Sequence, residues 1–76
     1  MKEVTYAVSV ISVPDAEVPH FLVKLGGRPI GTVHREGRTW YPLSMPEIEV
    51  DLGLEPKTRK VRAVFELVAK HVAGVR

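Results

Sequence analysis

The segment GRPIGTVHREGRTWYPL, residues 27–43, is the part of this chain from which an architecture can be built. It contains two runs of strand-forming residues, at 29–35 and 38–43, separated by Glu36-Gly37. Glycine in this position allows the positive φ that two-residue hairpin turns require. The segment therefore predicts a β-hairpin in which Arg35 pairs with Arg38 across a turn at Glu36-Gly37.

Two further strands are predicted on the N-terminal side of this hairpin. HFLVKL at 20–25 precedes Gly26-Gly27, which is also a favoured two-residue turn. Residues 4–12, VTYAVSVIS, alternate weakly between two sides, which is typical of a strand. The N-terminal half thus predicts a four-stranded antiparallel meander.

The C-terminal half predicts one helix after an acidic extended run. EIEVDL at 47–52 alternates strictly and is either a fifth, edge strand or an extended segment packed beside the sheet. Thr58 is a candidate N-cap and Gly74 a candidate C-cap, and Glu66 and Lys70 form a favourable i,i+4 pair. An apolar stripe at helical spacing is formed by Val61, Val64, Phe65, Val68 and Val72.

These elements predict an α+β fold, an antiparallel four- or five-stranded sheet with one C-terminal helix on one face. The turns set the register, and the register decides which face the helix covers. The covered face is predicted to pack against Phe65 and Val68 and to carry Phe21, Val23, Leu25, Ile30, Tyr41 and Leu43. The opposite, open face is predicted to carry His20, Leu22, Lys24, Val33, Arg35, Arg38 and Trp40.

Length and composition limit the classes of function. Seventy-six residues make one domain, 1–76, and a chain of this size buries only about 60% of its unfolded surface. The absence of cysteine excludes disulfides and indicates a reducing, cytoplasmic setting. We find neither a signal peptide nor an apolar run of the ~20 residues that a membrane span needs.

The sequence carries no recognisable catalytic or cofactor-binding pattern. No glycine-rich phosphate loop precedes the helix, and His20, His34 and His71 are far apart without a cysteine to assist them. The serines lie in no nucleophile elbow. We therefore expect no catalytic residue, no metal, no cofactor and no small-molecule substrate.

The predicted open face has the residue types of a nucleic-acid surface. Lys24, Arg35 and Arg38 would attract phosphates, and Trp40 would stack on a base or act as a wedge. Auxiliary phosphate contacts are expected at the helix start, where the helix N-terminus favours anions, from Lys57, Arg59 and Lys60. The expected partner is duplex DNA.

Two other interpretations remain open. Trp40 and Val33 can form a cross-strand pair that shields the sheet, and the acids at 47–51 can neutralise the arginines. Alternatively, the domain is a protein-interaction or dimerisation module. The strand at 4–12 is neutral and rich in β-forming residues, which suits pairing with a second copy.

The motif order resembles a known family. GRPIGTVHREGRTWYPL followed by TRKVRAVFELVAKH, residues 58–71, resembles the arm-type or AP2-like DNA-binding domains at the N-termini of phage tyrosine integrases. The resemblance covers residues 20–73 and is carried by Arg35, Gly37, Arg38, Trp40, Thr58, Arg59, Ala63 and Leu67. The pattern Gly-Arg-x-x-Gly-Thr-Val is also similar to short domains of actinobacteria and their phages.

The resemblance implies that the sheet inserts into the major groove. It adds one residue to the expected DNA contacts, which then comprise Lys24, His34, Arg35, Arg38 and Trp40. It also implies that Ala63 and Leu67 lie on the buried side of the helix.

Overall fold

The computed structural model describes residues 7–48 and 51–74. Its elements are β1 (Val8–Ser12), β2 (His20–Leu25), β3 (Arg28–Glu36), β4 (Thr39–Ser44) and α1 (Lys60–Gly74). The strands form one antiparallel sheet in the order β1-β2-β3-β4, and α1 packs on β3 and β4. The α+β meander with one C-terminal helix is confirmed.

The predicted fifth strand is not formed in the described part of the chain: residues 46–47 form a turn, and 51–56 contain no strand. After this segment, an isolated antiparallel bridge joins Lys57 to Trp40 of β4. Residues 49–50, and residues 4–6 of the predicted first strand, lie outside the described ranges. Within 7–48 and 51–74, no helix is both long and apolar enough to cross a bilayer.

The two hairpin turns differ in how well they were predicted. Leu25 pairs with Arg28 around Gly26-Gly27, as expected. In the second hairpin, Glu36 pairs with Thr39, so the turn is Gly37-Arg38 and not Glu36-Gly37. Arg35 therefore pairs with Trp40. This shift of two residues leaves each β4 side chain on the same side relative to β3, because the side-chain period of a strand is two.

A β-bulge in β3 changes the faces. Val23 pairs with Gly31 and Lys24 pairs with Pro29, so Ile30 is an extra residue. Pro29 has no N–H for the ladder, and prolines within sheets are tolerated at bulges. Beyond the bulge the register differs by one residue from the predicted one.

The one-residue difference overturns the predicted assignment of faces. Phe21 pairs with Val33 instead of Thr32, which places Val33, Arg35 and Trp40 on the helix-covered side. Tyr41 and Leu43 lie on the uncovered side. The expectation that Arg35 and Trp40 belong to the open face is wrong, and Arg38 lies in the turn outside the ladder.

The core is small and centred under the first half of the helix. Its buried members are Val23, Ile30, Val33, Ala63 and Leu67. The prediction that Phe65 packs against the sheet is wrong, since Phe65 is 72% exposed.

Small residues explain which side of the helix is buried. Ala63 and Leu67 are fully buried, and both were expected on the buried side. A Cβ atom on Gly31 would lie 2.9 Å from Leu67 Cδ2 and would collide with the Leu43 carbonyl oxygen. Gly31 has no side chain and Ala63 has only a methyl group, so α1 can approach the sheet more closely here than it could on its bulkier Val61–Phe65 side.

Two leucines provide a test of this core. We expect Leu67→Ala to destabilise the domain by about 2–5 kcal/mol, because it empties a buried site. Leu43→Ala is the matched control, since the same atoms are removed from a side chain that is 51% exposed. Urea unfolding of both variants measures the difference, and a larger loss for Leu43→Ala would contradict the assignment of the covered face.

Candidate functional site

The change of faces divides the predicted site residues into two groups. Lys24 and His34 lie on the uncovered face, where they pair with Pro29 and His20 of neighbouring strands. The remaining predicted residues lie around the β3–β4 turn and the start of α1. We call this second group the basic end, and it comprises Arg35, Arg38, Trp40, Lys57, Arg59 and Lys60.

Trp40 is the centre of the basic end. The backbone N–H of Trp40 donates to the Lys57 carbonyl oxygen at 2.7 Å, and the backbone N–H of Lys57 donates to the Trp40 carbonyl oxygen at 2.9 Å. The Arg35 guanidinium carbon lies 5.9 Å from the Trp40 ring centroid. The β3–β4 hairpin and the segment that leads into α1 are therefore held together at Trp40.

Phe21 extends this arrangement and was not predicted as a site residue. Its ring centroid lies 6.0 Å from that of Trp40, and Lys60 Nζ lies 4.3 Å from the Phe21 centroid. Both cations are within the range of cation–π attraction. Two neighbouring aromatic rings thus each have one cation close to them, Arg35 at Trp40 and Lys60 at Phe21.

The basic end carries an excess of positive charge. The first turn of α1 contains no acidic residue, although the helix dipole favours acids there. Lys57 Nζ lies 3.9 Å from a Glu55 carboxylate oxygen. Among the described residues, no carboxylate lies within 4.0 Å of Arg35, Arg38, Arg59, Lys60 or Arg62.

The acidic run does not neutralise these cations within the described part of the chain. Asp51 Oδ1 accepts a hydrogen bond from the Gly53 N–H at 2.9 Å, and Glu47 is exposed and outside any ion pair there. Glu49 lies outside the described residues. Among the described residues, Lys57 is thus the one cation of the basic end with a carboxylate within 4.0 Å.

A carboxylate on the helix holds the segment 53–57, which ends at Lys57. Glu66 Oε2 accepts the Glu55 N–H at 2.9 Å and lies 3.0 Å from Lys70 Nζ, which confirms the predicted i,i+4 pair. Lys70 Nζ also donates to the Gly53 carbonyl oxygen at 2.7 Å. The hydrogen bond from the Glu55 N–H, and then the contact with Lys70, lower the pKa of Glu66 below its usual 4.5.

The uncovered face has a different chemistry. His20, His34 and Tyr41 form a row of rings, with centroid separations of 5.9 Å and 5.4 Å. His34 Nε2 lies 3.6 Å from a Glu36 carboxylate oxygen. In residues 7–48 and 51–74, no three metal-ligating side chains come together.

The lowered pKa of Glu66 makes a prediction about pH. Folding favours the ionised form of the Glu66 carboxyl. The stabilisation that this gives the folded state is therefore present above pH ~4.5 and is lost as the pH falls through the pKa that Glu66 has in the folded protein. We expect Glu66→Gln to be less stable than wild type near neutral pH and to lose less stability on acidification to about pH 3. Urea unfolding at both pH values measures this. Glu17→Gln is the control, since it removes an exposed carboxylate outside these contacts, and equal acid sensitivity of wild type and Glu66→Gln would refute the prediction.

Comparisons of the chain with protein-family models, curated proteins and solved structures find no match.

Proposed function

We propose that this domain is a small, non-catalytic binding module that binds duplex DNA through its basic end. The observation that supports this best is the pair of cations on the Trp40–Phe21 rings: the Arg35 guanidinium carbon lies 5.9 Å from the Trp40 centroid and Lys60 Nζ lies 4.3 Å from the Phe21 centroid. Arg38 in the adjoining turn and Arg59 beside Lys60 add two further cations that, among the described residues, have no carboxylate within 4.0 Å. The partner is the one expected from the sequence, but the surface is the end of the molecule and not the open sheet face.

The helix start supplies the first element of a phosphate site. Ala63 donates its N–H to the Arg59 carbonyl oxygen at 3.1 Å, and the amides before Ala63 lie at the helix end. Amides in this position have no partner from within the helix and can donate to phosphate oxygens. Arg59 and Lys60 add two positive charges at this end of the helix.

The hairpin supplies the second element. Arg38 is a central residue of the β3–β4 turn and projects from the end of the sheet. Arg35 is restrained by the Trp40 ring, which reduces the side-chain entropy lost on binding. Cations on two separate elements can thus contact phosphates on both sides of a groove.

Salt dependence tests the phosphate contacts. The logarithm of the association constant should fall with the logarithm of salt concentration by about 0.9 per neutralised phosphate. We expect Arg38→Ala, Arg59→Ala and Lys60→Ala each to lower this slope by about one unit, because each removes one contact. Fluorescence anisotropy with a labelled random-sequence duplex at several salt concentrations measures both quantities.

The control variants are Lys24→Ala and Arg28→Ala, which remove cations near the other turn. They should leave the slope unchanged. The proposal fails if micromolar protein does not bind at low salt. It also fails if the control variants weaken binding as much as the three variants at the basic end.

The single tryptophan gives a local readout. We expect Trp40 fluorescence to change on addition of duplex, with the same midpoint as the anisotropy titration, because the ring lies among the contacting cations. A combined Arg38→Ala, Arg59→Ala and Lys60→Ala variant should lose both signals. An anisotropy increase without a change in Trp40 fluorescence would place the DNA on another surface.

A further inference from the structure

The segment 53–57, which leads into α1, is tied to the helix by two side chains. Lys70 Nζ donates to the Gly53 carbonyl oxygen at 2.7 Å, and the Glu55 N–H donates to Glu66 Oε2 at 2.9 Å. The later helix residue holds the earlier segment residue, so the segment runs antiparallel to α1. It therefore passes along the helix before the chain turns into the first helical turn.

The same segment is tied to the sheet at its other end. The backbone of Lys57 exchanges two hydrogen bonds with that of Trp40, at 2.7 and 2.9 Å. This bridge is isolated, so no neighbouring bond of a ladder supports it. Its support comes from the chain on either side of Lys57. On one side the chain enters α1 at Lys60, and on the other it is held where the Glu55 N–H meets Glu66.

The Glu66–Lys70 pair is therefore more than a contact within one helix. An i,i+4 ion pair in solvent stabilises the helix that contains it. Here both partners also bond backbone groups 11 and 17 residues away along the chain. The Glu66 side chain is only 12% exposed, and hydrogen bonds to a carboxylate are stronger than those between neutral groups. The pair thus fixes tertiary structure.

We infer that Glu66 and Lys70 are positioning residues for the basic end. By fixing the segment 53–57 on α1, they support the bridge at Trp40, and this bridge holds the β3–β4 hairpin at a set distance from the helix start. The functional consequence rests on the proposed function, since the distance matters when cations of both elements contact one duplex.

Charge alone predicts the opposite effect on DNA binding. Loss of the Glu66 carboxylate makes the domain more positive, which favours association with a polyanion. Positioning predicts weaker binding, because a loosened segment has to be ordered again when the duplex binds. Two variants separate these effects. Glu66→Ala and Glu66→Gln have the same charge, but only glutamine retains an oxygen that can accept the Glu55 N–H.

DNA affinity of these two variants tests the inference. We expect Glu66→Ala to bind duplex DNA about two- to tenfold more weakly than Glu66→Gln, the range set by loss of one hydrogen bond. The salt slope should be the same for both, since neither variant removes a phosphate contact. Fluorescence anisotropy with the labelled random-sequence duplex measures both quantities. Equal affinity of the two variants would overturn the inference.

Glu17 provides the matched control pair. It is an exposed carboxylate in the β1–β2 loop, outside the contacts of the segment 53–57. Glu17→Ala and Glu17→Gln should bind DNA with equal affinity. A difference between them as large as that between the two Glu66 variants would contradict a specific role for Glu66.

Amide hydrogen exchange tests the positioning without DNA. The amides of Trp40 and Lys57 bond each other's carbonyl groups. Both should exchange faster in Glu66→Ala than in Glu66→Gln when followed by NMR. The amides of β2, which is paired on both sides, should keep their rates. If Glu66 only stabilised the whole fold, the slowest β2 amides would exchange faster as well.

Lys70 gives an independent variant if Glu66→Ala does not fold. Lys70→Met removes the donor to the Gly53 carbonyl oxygen and should accelerate exchange at Trp40 and Lys57. Lys70→Arg keeps the charge and the donors and should restore slow exchange. Unchanged exchange at both amides in Lys70→Met would overturn the inference.

The outcomes distinguish this inference from the proposed function. If wild type does not bind DNA, the proposed function fails, and the exchange rates still decide whether the pair positions the basic end. If wild type binds and the two Glu66 variants bind equally, DNA binding stands and the positioning role fails.

Discussion

The extra residue Ile30 in β3 is the constraint on which the rest of this structure depends. Because Val23 faces Gly31 and Lys24 faces Pro29, every β3 side chain beyond the bulge lies on the face opposite to that of a regular ladder. Val33 thereby enters the core, and Gly31 lies beneath Leu67. The helix can approach the sheet closely at this point because neither Gly31 nor Ala63 has a large side chain.

The bulge also determines where the cations lie. It brings Trp40 and Arg35 to the helix side of the sheet, where the Lys57 backbone pairs with Trp40 and Lys60 contacts Phe21. The hairpin and the segment before the helix are consequently joined at Trp40, with Arg35 and Lys60 on the adjoining Trp40 and Phe21 rings. Without the bulge, the arginine-bearing strand would face away from the helix and the cations would lie on two unconnected surfaces.

The position of the helix leaves the opposite side of the molecule incomplete. A helix centred on β3 and β4 cannot cover β1, so Val8 and Phe65 line an open apolar groove next to an unprotected strand edge. The basic end carries cations, whereas the groove beside β1 is lined by apolar side chains. The domain thus presents two chemically distinct surfaces.

The sequence by itself determined the strand order, the Gly26-Gly27 turn, the C-terminal helix and the Glu66–Lys70 pair. These features depend on local signals: alternation, glycine at a turn, helical spacing and an i,i+4 separation. The residues of the basic end were also predicted by name: Lys57, Arg59 and Lys60 lie at the helix start as predicted, whereas Arg35, Arg38 and Trp40 were assigned to the wrong face. Lys24 and His34 were separated from the basic end, and Phe21 was missed because a phenylalanine in an apolar strand gives no sign of a cation above its ring.

Tertiary structure alone decided the faces. The valine stripe and Phe65 favoured one side of the helix by hydrophobicity, but the buried side is that of Ala63 and Leu67, because close packing over Gly31 outweighs the larger apolar area. Likewise, periodicity cannot reveal one extra residue in a strand. On each side of a bulge the side chains still alternate between the two faces. The bulge changes only which face the residues after it share with the residues before it, and this is fixed when β3 pairs with β2.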